Sequence, residues 1–376
     1  MPNTIPPNWQ EKTLGEVCEI ISGTTPDTKN SKYWDGSNYW ITPAELSEEK
    51  IFITDCRRKI TDLAIQHCSL RPMPKGTIIF SSRAPIGKVA ISDVDTLYCN
   101  QGFKNFICSK SIYNKFLYYF LKLNTPLLIS LGNGTTFKEI SKSTISKVHI
   151  GFPSLPEQKR IVEKLDKIFA NIDKAKEQTT QNIQNAQEMF EAFLNNIFTN
   201  TADNWEEKKL GEVIQLEYGK PLAPEDRDPE AQYPAYGANG IKTYTNKYLY
   251  DKPTIIVGRK GSAGEINLTT EKFWPLDVTY YIKFDNQKYD LLFLYFLLSS
   301  LNLPSLAKGV KPGINRNDVY SISCFFPALT EQQRIVKKLN TLSDKTRELK
   351  EICTKKLADL DELKQSVLQQ AFSGKL

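Results

Sequence analysis

FPSLPEQKRIVEKLDKI at residues 152–168 returns as FPALTEQQRIVKKLNTL at residues 326–342. At the fixed offset of 174, ten of the seventeen positions are identical. Each copy reads as a strand exit followed at once by a helix start. Pro156 stands in the opening turn, where a missing N–H costs nothing, and Ser154-x-x-Glu157 fits a capping box. In the second copy Thr330 replaces Pro156, and Thr330-x-x-Gln333 offers a similar box. Two long helices opened by the same sentence imply a duplicated protein, and a duplicated protein implies a two-part target.

The helical periodicity runs on from each start. Ile161, Leu165, Ile168, Ile172, Ala175, Thr179, Asn182, Ala186, Met189 and Phe193 step by four and three. Ile335, Leu339, Leu342, Thr346, Leu349, Cys353, Lys356, Leu360, Leu363 and Val367 hold the same positions in the second copy. This spacing predicts an a/d seam, weakened in its middle by polar residues that fix register. Each segment would be roughly 60 Å long if helical throughout. Gly374 stands where a helix stop is expected.

A second repeat marks where the globular parts begin. WQEKTLGEVCEI at 9–20 returns as WEEKKLGEVIQL at 205–216, an offset of 196 with seven of twelve positions identical. The first globular part is therefore about 22 residues longer than the second. A period of this size means a tandem pair, not a solenoid. Between the repeats, short runs such as Thr77–Phe80 and Thr254–Val257, bounded by Gly, Pro, Ser and Asn, read as strands. KFLYYFLKL at 115–123 and LLFLYFLLSS at 291–300 read as one helix in each part. The expectation is an α+β class: two α+β domains with mixed sheets, residues 1–155 and 200–329, joined by helices at 156–199 and 330–376. If the helices pair antiparallel in a coiled coil, the two domains are related by a pseudo-twofold.

The chain of 376 residues is long enough for two cores. It contains no run of eighteen apolar residues and opens without a basic-then-apolar leader pattern, so the expectation is a cytoplasmic protein with no membrane span. Seven scattered cysteines without a C-x-x-C pair fit reduced thiols. The net charge of +6 is uneven. Residues 1–155 carry +5, residues 330–376 carry +3, and the two segments between carry −1 each. A nucleic-acid contact by the second globular part must therefore rest on a local patch.

Catalytic motifs are nearly absent. No G-x-x-x-x-G-K-[ST] phosphate cradle and no Asn/Asp-Pro-Pro-aromatic tetrapeptide occurs. His67-Cys68 with Cys56 lacks zinc-site spacing. Asp27, Glu48 and Lys50 resemble a metal-nuclease cluster in a loop-like stretch, a spacing common by chance. No metal site or catalytic residue is expected.

The loops offer binding chemistry instead. Arg83 and Lys88 in SSRAPIGKVAI, and Arg259, Lys260 and Ser262 in VGRKGSAGEI, follow matching strands. Neighbouring glycines allow close backbone approach, and the cations suit phosphate or a guanine edge. Later loops add Asn133, Thr135, Thr136, Lys138 and Lys142 in the first part, then Lys308, Lys311, Asn315 and Arg316 in the second. Tyr33 and Trp34, and Tyr218, Tyr236 and Tyr244, bring aromatic rings nearby in sequence.

Together these stretches resemble the specificity subunit of type I restriction-modification systems over essentially the whole chain. The most specific elements are the two W-x-E-K-x-L-G-E-V starts and the two F-P-x-L-x-E-Q-x-R-I-V-x-K-L helix openings. GTTPDTKNSKYW at 23–34, SSRAPIGKVAI at 81–91, NQGF at 100–103, GTTFKEIS at 134–141, YPAYGANGI at 233–241, TIIVGRKGSAGEI at 254–266 and the final AFSGKL are similar to the family too. These stretches add Thr24, Thr25 and Asn239 to the loop positions, and Lys220, after Tyr218, joins them. The resemblance implies two target-recognition domains, each reading one half of a bipartite double-stranded DNA sequence, with paired helices as spacer and dock. It implies two modification (methyltransferase) subunits as partners, binding S-adenosylmethionine and methylating adenine. Two restriction subunits with ATP and Mg would complete a cleaving complex. No cofactor is expected on this chain. Glu157, Arg160, Glu331 and Arg334 become candidates for holding the partner subunits. The alternative reading is a coiled-coil protein-interaction scaffold without DNA specificity.

Overall fold

The computed structural model describes residues 5–47, 50–83, 85–134, 138–200 and 204–376. The chain divides into two compact units. Unit one is Met1–Gln178 with Lys356–Leu376, and unit two is Thr179–Lys355. Each unit therefore owns a globular part, half of one long helix and half of the other. The first long helix is Leu155–Thr199 and the second is Leu329–Phe372.

In unit one, a five-stranded sheet has the order Cys18–Ile21, Asn105–Cys108, Ile78–Phe80, Val89–Ser92, Phe52–Ile53. A four-stranded sheet has the order Arg58–Ile60, Trp34–Ile41, Thr96–Cys99, Met73–Pro74. The first is antiparallel except at Phe52–Ile53, and the second contains the parallel pair Trp34–Ile41 with Thr96–Cys99. The strand Ile78–Phe80 is apolar at every position because both its faces are covered. Ile78 and Phe80 join the core under helix Asn114–Leu123, and Ile79 joins the core between the sheets.

Unit two repeats the plan with fewer strands. Ile214–Tyr218, Thr279–Phe284, Thr254–Gly258 and Ile266–Thr269 form an antiparallel sheet. Gly240–Thr245, Tyr233–Gly237 and Trp274–Pro275 form a mixed one. Again the side chains alternate: Ile255 and Val257 face helix Leu291–Ser300, and Ile256 faces Tyr236, Phe273 and Tyr281. The extra length of the first globular part goes into one more strand in each sheet and the helix Asp62–His67.

The repeated motifs of the sequence now have a common purpose. Gln10–Thr13 pairs with His149–Phe152, and Glu206–Lys209 pairs with Ser323–Phe326, so each motif start lies beside the strand that feeds a long helix. Trp9 meets Phe116 edge-on at 5.9 Å, and Phe372 lies 4.8 Å from the same Phe116. In unit two, Trp205 lies 6.2 Å from Phe293, and Phe198 lies 5.4 Å from it. Phe198 and Phe372 are separated by the same offset of 174 as the helix starts. Each long helix thus ends in an aromatic plug for the core of the unit that holds its end.

Within unit one the two helical segments run antiparallel. Lys176 pairs with Asp361, Asp173 with Lys364, and Arg160 donates to the Leu376 carbonyl, so one number falls as the other rises. The expected seam holds over Ile161, Leu165, Ile172 and Thr179, all buried. Past Thr179, Ala186 stays buried and the other expected positions give way to the next residue. Met189 and Phe193 are exposed, and Ile183, Phe190 and Leu194 turn inward in their place. In the second helix Ile335, Leu339, Cys353 and Val367 are buried as expected, whereas Leu349, Lys356 and Leu363 are exposed and Leu357 and Lys364 are partly covered. A helix of 3.6 residues per turn drifts about 20° per heptad against a strict 3.5 repeat, so over several heptads the inward face moves to the next residue.

Two capping expectations resolve differently. The first i→i−4 bonds are Gln158 N–H to Ser154 O and Gln332 N–H to Ala328 O. Thr330 therefore lies inside the helix, and Thr330-x-x-Gln333 is not its cap. At the far end, Gly374 has φ +70°, with Lys375 N–H donating to Gln370 O and Gly374 N–H to Ala371 O. That is a Schellman stop.

Candidate nucleic-acid interface

In each unit, two loops remote in sequence are locked together through their backbones. The first follows the buried central strand, Ile78–Phe80 or Thr254–Gly258. The second is a hairpin just before a short capped helix. In unit one, Asn133 and Glu139 exchange both backbone bonds, Arg83 bridges to Glu139, and Ile140 N–H donates to Ser82 O at 3.0 Å. In unit two, Lys308 and Gly313 exchange both bonds, Lys260 bridges to Gly313, and Ile314 N–H donates to Arg259 O at 3.0 Å. The hairpins lead into helices Lys142–Ser146 and Arg316–Tyr320.

A third loop is held beside them by a glycine that no other residue could replace. A Cβ on Gly23 would sit 2.0 Å from Cys99 O, and one on Gly219 would sit 2.1 Å from Leu276 O. The next residues, Thr24 and Lys220, donate their N–H groups to Cys99 O and Pro275 O. An indole N–H caps each turn, Trp40 to Thr24 O and Trp274 to Lys220 O.

In unit one the charged groups are largely neutralised from within. Arg83 lies 3.7 Å from the Glu139 carboxylate, and nearly buried Lys104 donates to the same carboxylate at 3.1 Å and to Ser82 Oγ at 3.3 Å. Lys88 donates to Leu46 O and acts as an internal tie. Thr25 donates to Gln101 Oε1. Tyr33 is half-buried against His67, 3.3 Å from OH to Nδ1. Trp34 is buried: its N–H donates to Asp27 O, its ring packs edge-on to Trp40, and the Arg58 guanidinium covers it at 3.5 Å. Trp34 is therefore a core residue, not an exposed stacking platform. Asn133, Lys138 and Lys142 are exposed. Thr135 and Thr136 lie outside the described residues.

Unit two presents more free charge. Lys220, Lys260 and Lys311 are exposed and make no ion pair among the described residues. Lys308 pairs with Asp318 at 2.9 Å. Asn315 uses its side chain as the helix cap, accepting from Asn317 N–H. Asn239 is exposed in the turn after Tyr233–Gly237, Ser262 is half-buried in the turn after Arg259, and Tyr236 belongs to the core. Tyr218 is half exposed and lies 5.1 Å from Tyr280. The Arg259 and Arg316 guanidiniums each lie over the Tyr218 ring at 5.3 Å. Arg259 is fixed further by donating Nε and Nη2 to Asp277 O at 3.1 and 2.8 Å. Tyr280 donates its hydroxyl to Ile314 O, and burial, with the Tyr218 hydroxyl adding to it, pushes its phenol up to about 12.

Sequence reasoning missed Glu139, Lys104 and Arg58, and no spacing could reveal them: each acts on a partner from another element. It also missed the residues beside the repeated helix-start charges. Glu157 and Arg160 form a bidentate pair at 2.6 and 2.7 Å, and Glu331 and Arg334 repeat it at 2.7 Å. The arginine hydrogen bonds hold both carboxyls below their ordinary range. Between them in sequence sit Gln158 and Gln332, both fully buried. Gln158 accepts from Tyr113 N–H and donates to Ser111 O and Pro153 O. Gln332 accepts from Asp290 N–H and donates to Lys288 O and Pro327 O.

Asp27 accepts from Lys29 N–H, and Glu48 lies outside the described residues. Among the described residues, no three His, Cys, Asp or Glu side chains gather as metal ligands, and no helix is long and apolar enough to cross a membrane.

The sequence profile described as type I restriction modification DNA specificity domain matches residues 6–185 and again 202–358. The MjaIX type I restriction enzyme specificity subunit of Methanocaldococcus jannaschii is 38% identical over 57% of this chain, which spans about half of that relative's length, 54%. The EcoprrI specificity subunit of Escherichia coli is 22% identical over 90% of this chain and 89% of its own. Among solved structures, a chain from a study of complex assembly and conformational transition in the type I R-M system superposes with a TM-score of 0.85 at 20% identity, covering 100% of both chains. The crystal structure of the HsdS subunit from Thermoanaerobacter tengcongensis gives 0.65 at 20% identity, over 99% of this chain and 98% of that one. At this identity the structural likeness speaks to the fold.

Proposed function

The chain belongs to the type I restriction modification DNA specificity family, and from that membership we propose that it is the sequence-reading subunit of a type I restriction-modification complex. Each unit reads one half of a bipartite duplex. The long helices set the gap between the halves. Two modification subunits dock near the repeated helix starts and bring S-adenosylmethionine to the target adenine. Where restriction subunits join, they bring ATP and Mg. This chain contributes no reacting group: it selects the site and positions the enzymes.

One observation carries this reading. Both units build the same three-loop platform from the same backbone bridges, yet the side chains on the platforms differ. A constant frame with variable loops is what two different half-sites require. Exposed lysines such as Lys260, Lys311 and Lys142 can neutralise phosphates, a salt-dependent and sequence-independent contribution. Sequence choice then falls to groups held in fixed geometry at base edges.

The test uses the chain co-expressed with its modification subunits, with methylated sites mapped across a genome by modification-sensitive sequencing. Wild type should mark one bipartite sequence. Arg259→Ala with Lys260→Ala should weaken selection of one half only. Equal insertions in both helices should change the gap and leave both halves intact. Binding to random and bipartite duplexes with equal affinity would instead favour the protein-interaction scaffold.

A further inference from the structure

We infer that Arg316, held over Tyr218 beside Arg259, reads a guanine in the half-site of unit two, and that unit one has no equivalent reader. The inference rests on the function proposed above and names one contact within it.

The matched backbone bonds align the two platforms residue by residue. Gly23 and Gly219 make the same close approach, so Ser22 corresponds to Tyr218. Ile140 and Ile314 bond to Ser82 and Arg259, so these two correspond. Ser141 and Asn315 are the helix caps, so Lys142 corresponds to Arg316. Where unit two has a tyrosine and two arginines, unit one has two serines and a lysine. Ser82 is buried and engaged by Lys104.

The three side chains of unit two differ in freedom. Tyr218 rests on Tyr280, which is anchored through Ile314 O. Arg259 is tied to Asp277 O by two of its donors. Arg316 is exposed and has no hydrogen-bond acceptor among the described residues for its guanidinium. Two acids close to these residues in sequence are engaged elsewhere: Asp318 pairs with Lys308, and Glu217 with Lys283. Two guanidiniums over one ring leave a positive centre that suits an electron-rich partner.

A phosphate and a guanine edge both meet that description. A phosphate can take the fork too, but it carries no sequence information and a lysine also serves it. A guanidinium restrained over an aromatic ring offers paired donors in a limited set of planes, which suits the coplanar O6 and N7 of guanine. The fixed platform therefore favours the base.

Arg316→Lys separates the two, because it keeps the charge and loses the fork. It follows the Asn315 cap on an exposed surface, so the fold is retained. In the complex with modification subunits, the variant's methylated sites are compared with those of wild type. Discrimination should fall about 10–100-fold at one guanine position of one half-site, with the other half unchanged. Tyr218→Leu should relax the same position to a lesser degree. Unchanged preference in Arg316→Lys, or a uniform loss across all positions, would make the residue a phosphate contact and overturn the inference alone. A wild-type complex without bipartite selectivity would overturn the proposed function as well.

Discussion

The helix starts and the reading platforms are both present twice, and they have diverged to opposite degrees. At the starts, Gln158 and Gln332 make three corresponding bonds, and Glu157–Arg160 and Glu331–Arg334 have nearly the same geometry. On the platforms, the backbone bridges are kept while Ser22, Ser82 and Lys142 stand where the other unit has Tyr218, Arg259 and Arg316. A buried amide with three partners tolerates no substitution without leaving polar groups unpaired. An exposed side chain on a locked backbone can change freely. The contrast teaches which half of the molecule is frame and which is instrument.

The strongest way to break the comparison is to remove the aromatic plugs. Phe372→Ala should cost about 3–5 kcal/mol, since it empties a buried site between Phe116 and Phe120, and Phe198→Ala, which removes a partly buried ring from Phe293, should cost less. Denaturant unfolding should show a clear loss for both, larger for Phe372→Ala. A large loss for one and none for the other would mean that the units are not equivalent in their cores.

Next come the buried amides. Gln158→Leu and Gln332→Leu strand one N–H and two carbonyls each, with a penalty of about 1–3 kcal/mol per group left unpaired. Both variants should lower the denaturation midpoint markedly and by similar amounts. A neutral result at either position would show that water replaces the amide there.

Alkaline pH should separate the units. Burial pushes Cys99 and Cys56 of unit one up to about 12, and Cys18 rises through its hydrogen bond with Cys108 and its burial. In unit two, burial pushes Cys324 up to about 11. An unfolded chain releases these protons near the ordinary value of 9.0, whereas the folded chain keeps them. Their contribution is fully present below that value and falls as pH climbs towards 11 or 12. Unit one, with more such thiols, should lose stability more steeply. Cys99→Ala should flatten the slope between pH 9 and 11, measured by urea midpoints at each pH. An unchanged slope would contradict the assignment.

The smallest effect on folding is expected at the exposed pairs. Arg160→Ala and Arg334→Ala should leave unfolding nearly unchanged, because solvent screens both partners. Under the proposed function they should weaken the hold on modification subunits, read as a lower yield of complex by size-exclusion chromatography. Full assembly by both variants would assign the pairs to the solvated surface.

Much of the frame was legible in the sequence, because it is local and repeated. The two starts, the two helix openings and the short apolar strands obey periodicities set by neighbours in the chain. Less of the platforms was legible. Arg83, Arg259, Lys260, Lys311 and Arg316 were visible as loop cations, but their states of engagement were not. Trp34 looked like an available ring and is a core residue under Arg58. Lys88 looked like a phosphate contact and is tied to Leu46 O.

By itself, then, the sequence determined the duplication, the α+β class, the unequal lengths of the two parts and the two long helices. These follow from hydrophobic period and from identity at a fixed offset, and neither depends on distant contacts. Tertiary structure alone decided which cations are neutralised, where the helical seam slips to the next residue, and that Tyr218, Arg259 and Arg316 form one cluster. Charge neutralisation acts over a few ångströms between side chains far apart in the chain, and seam drift accumulates from a fraction of a residue per heptad. No local pattern records either.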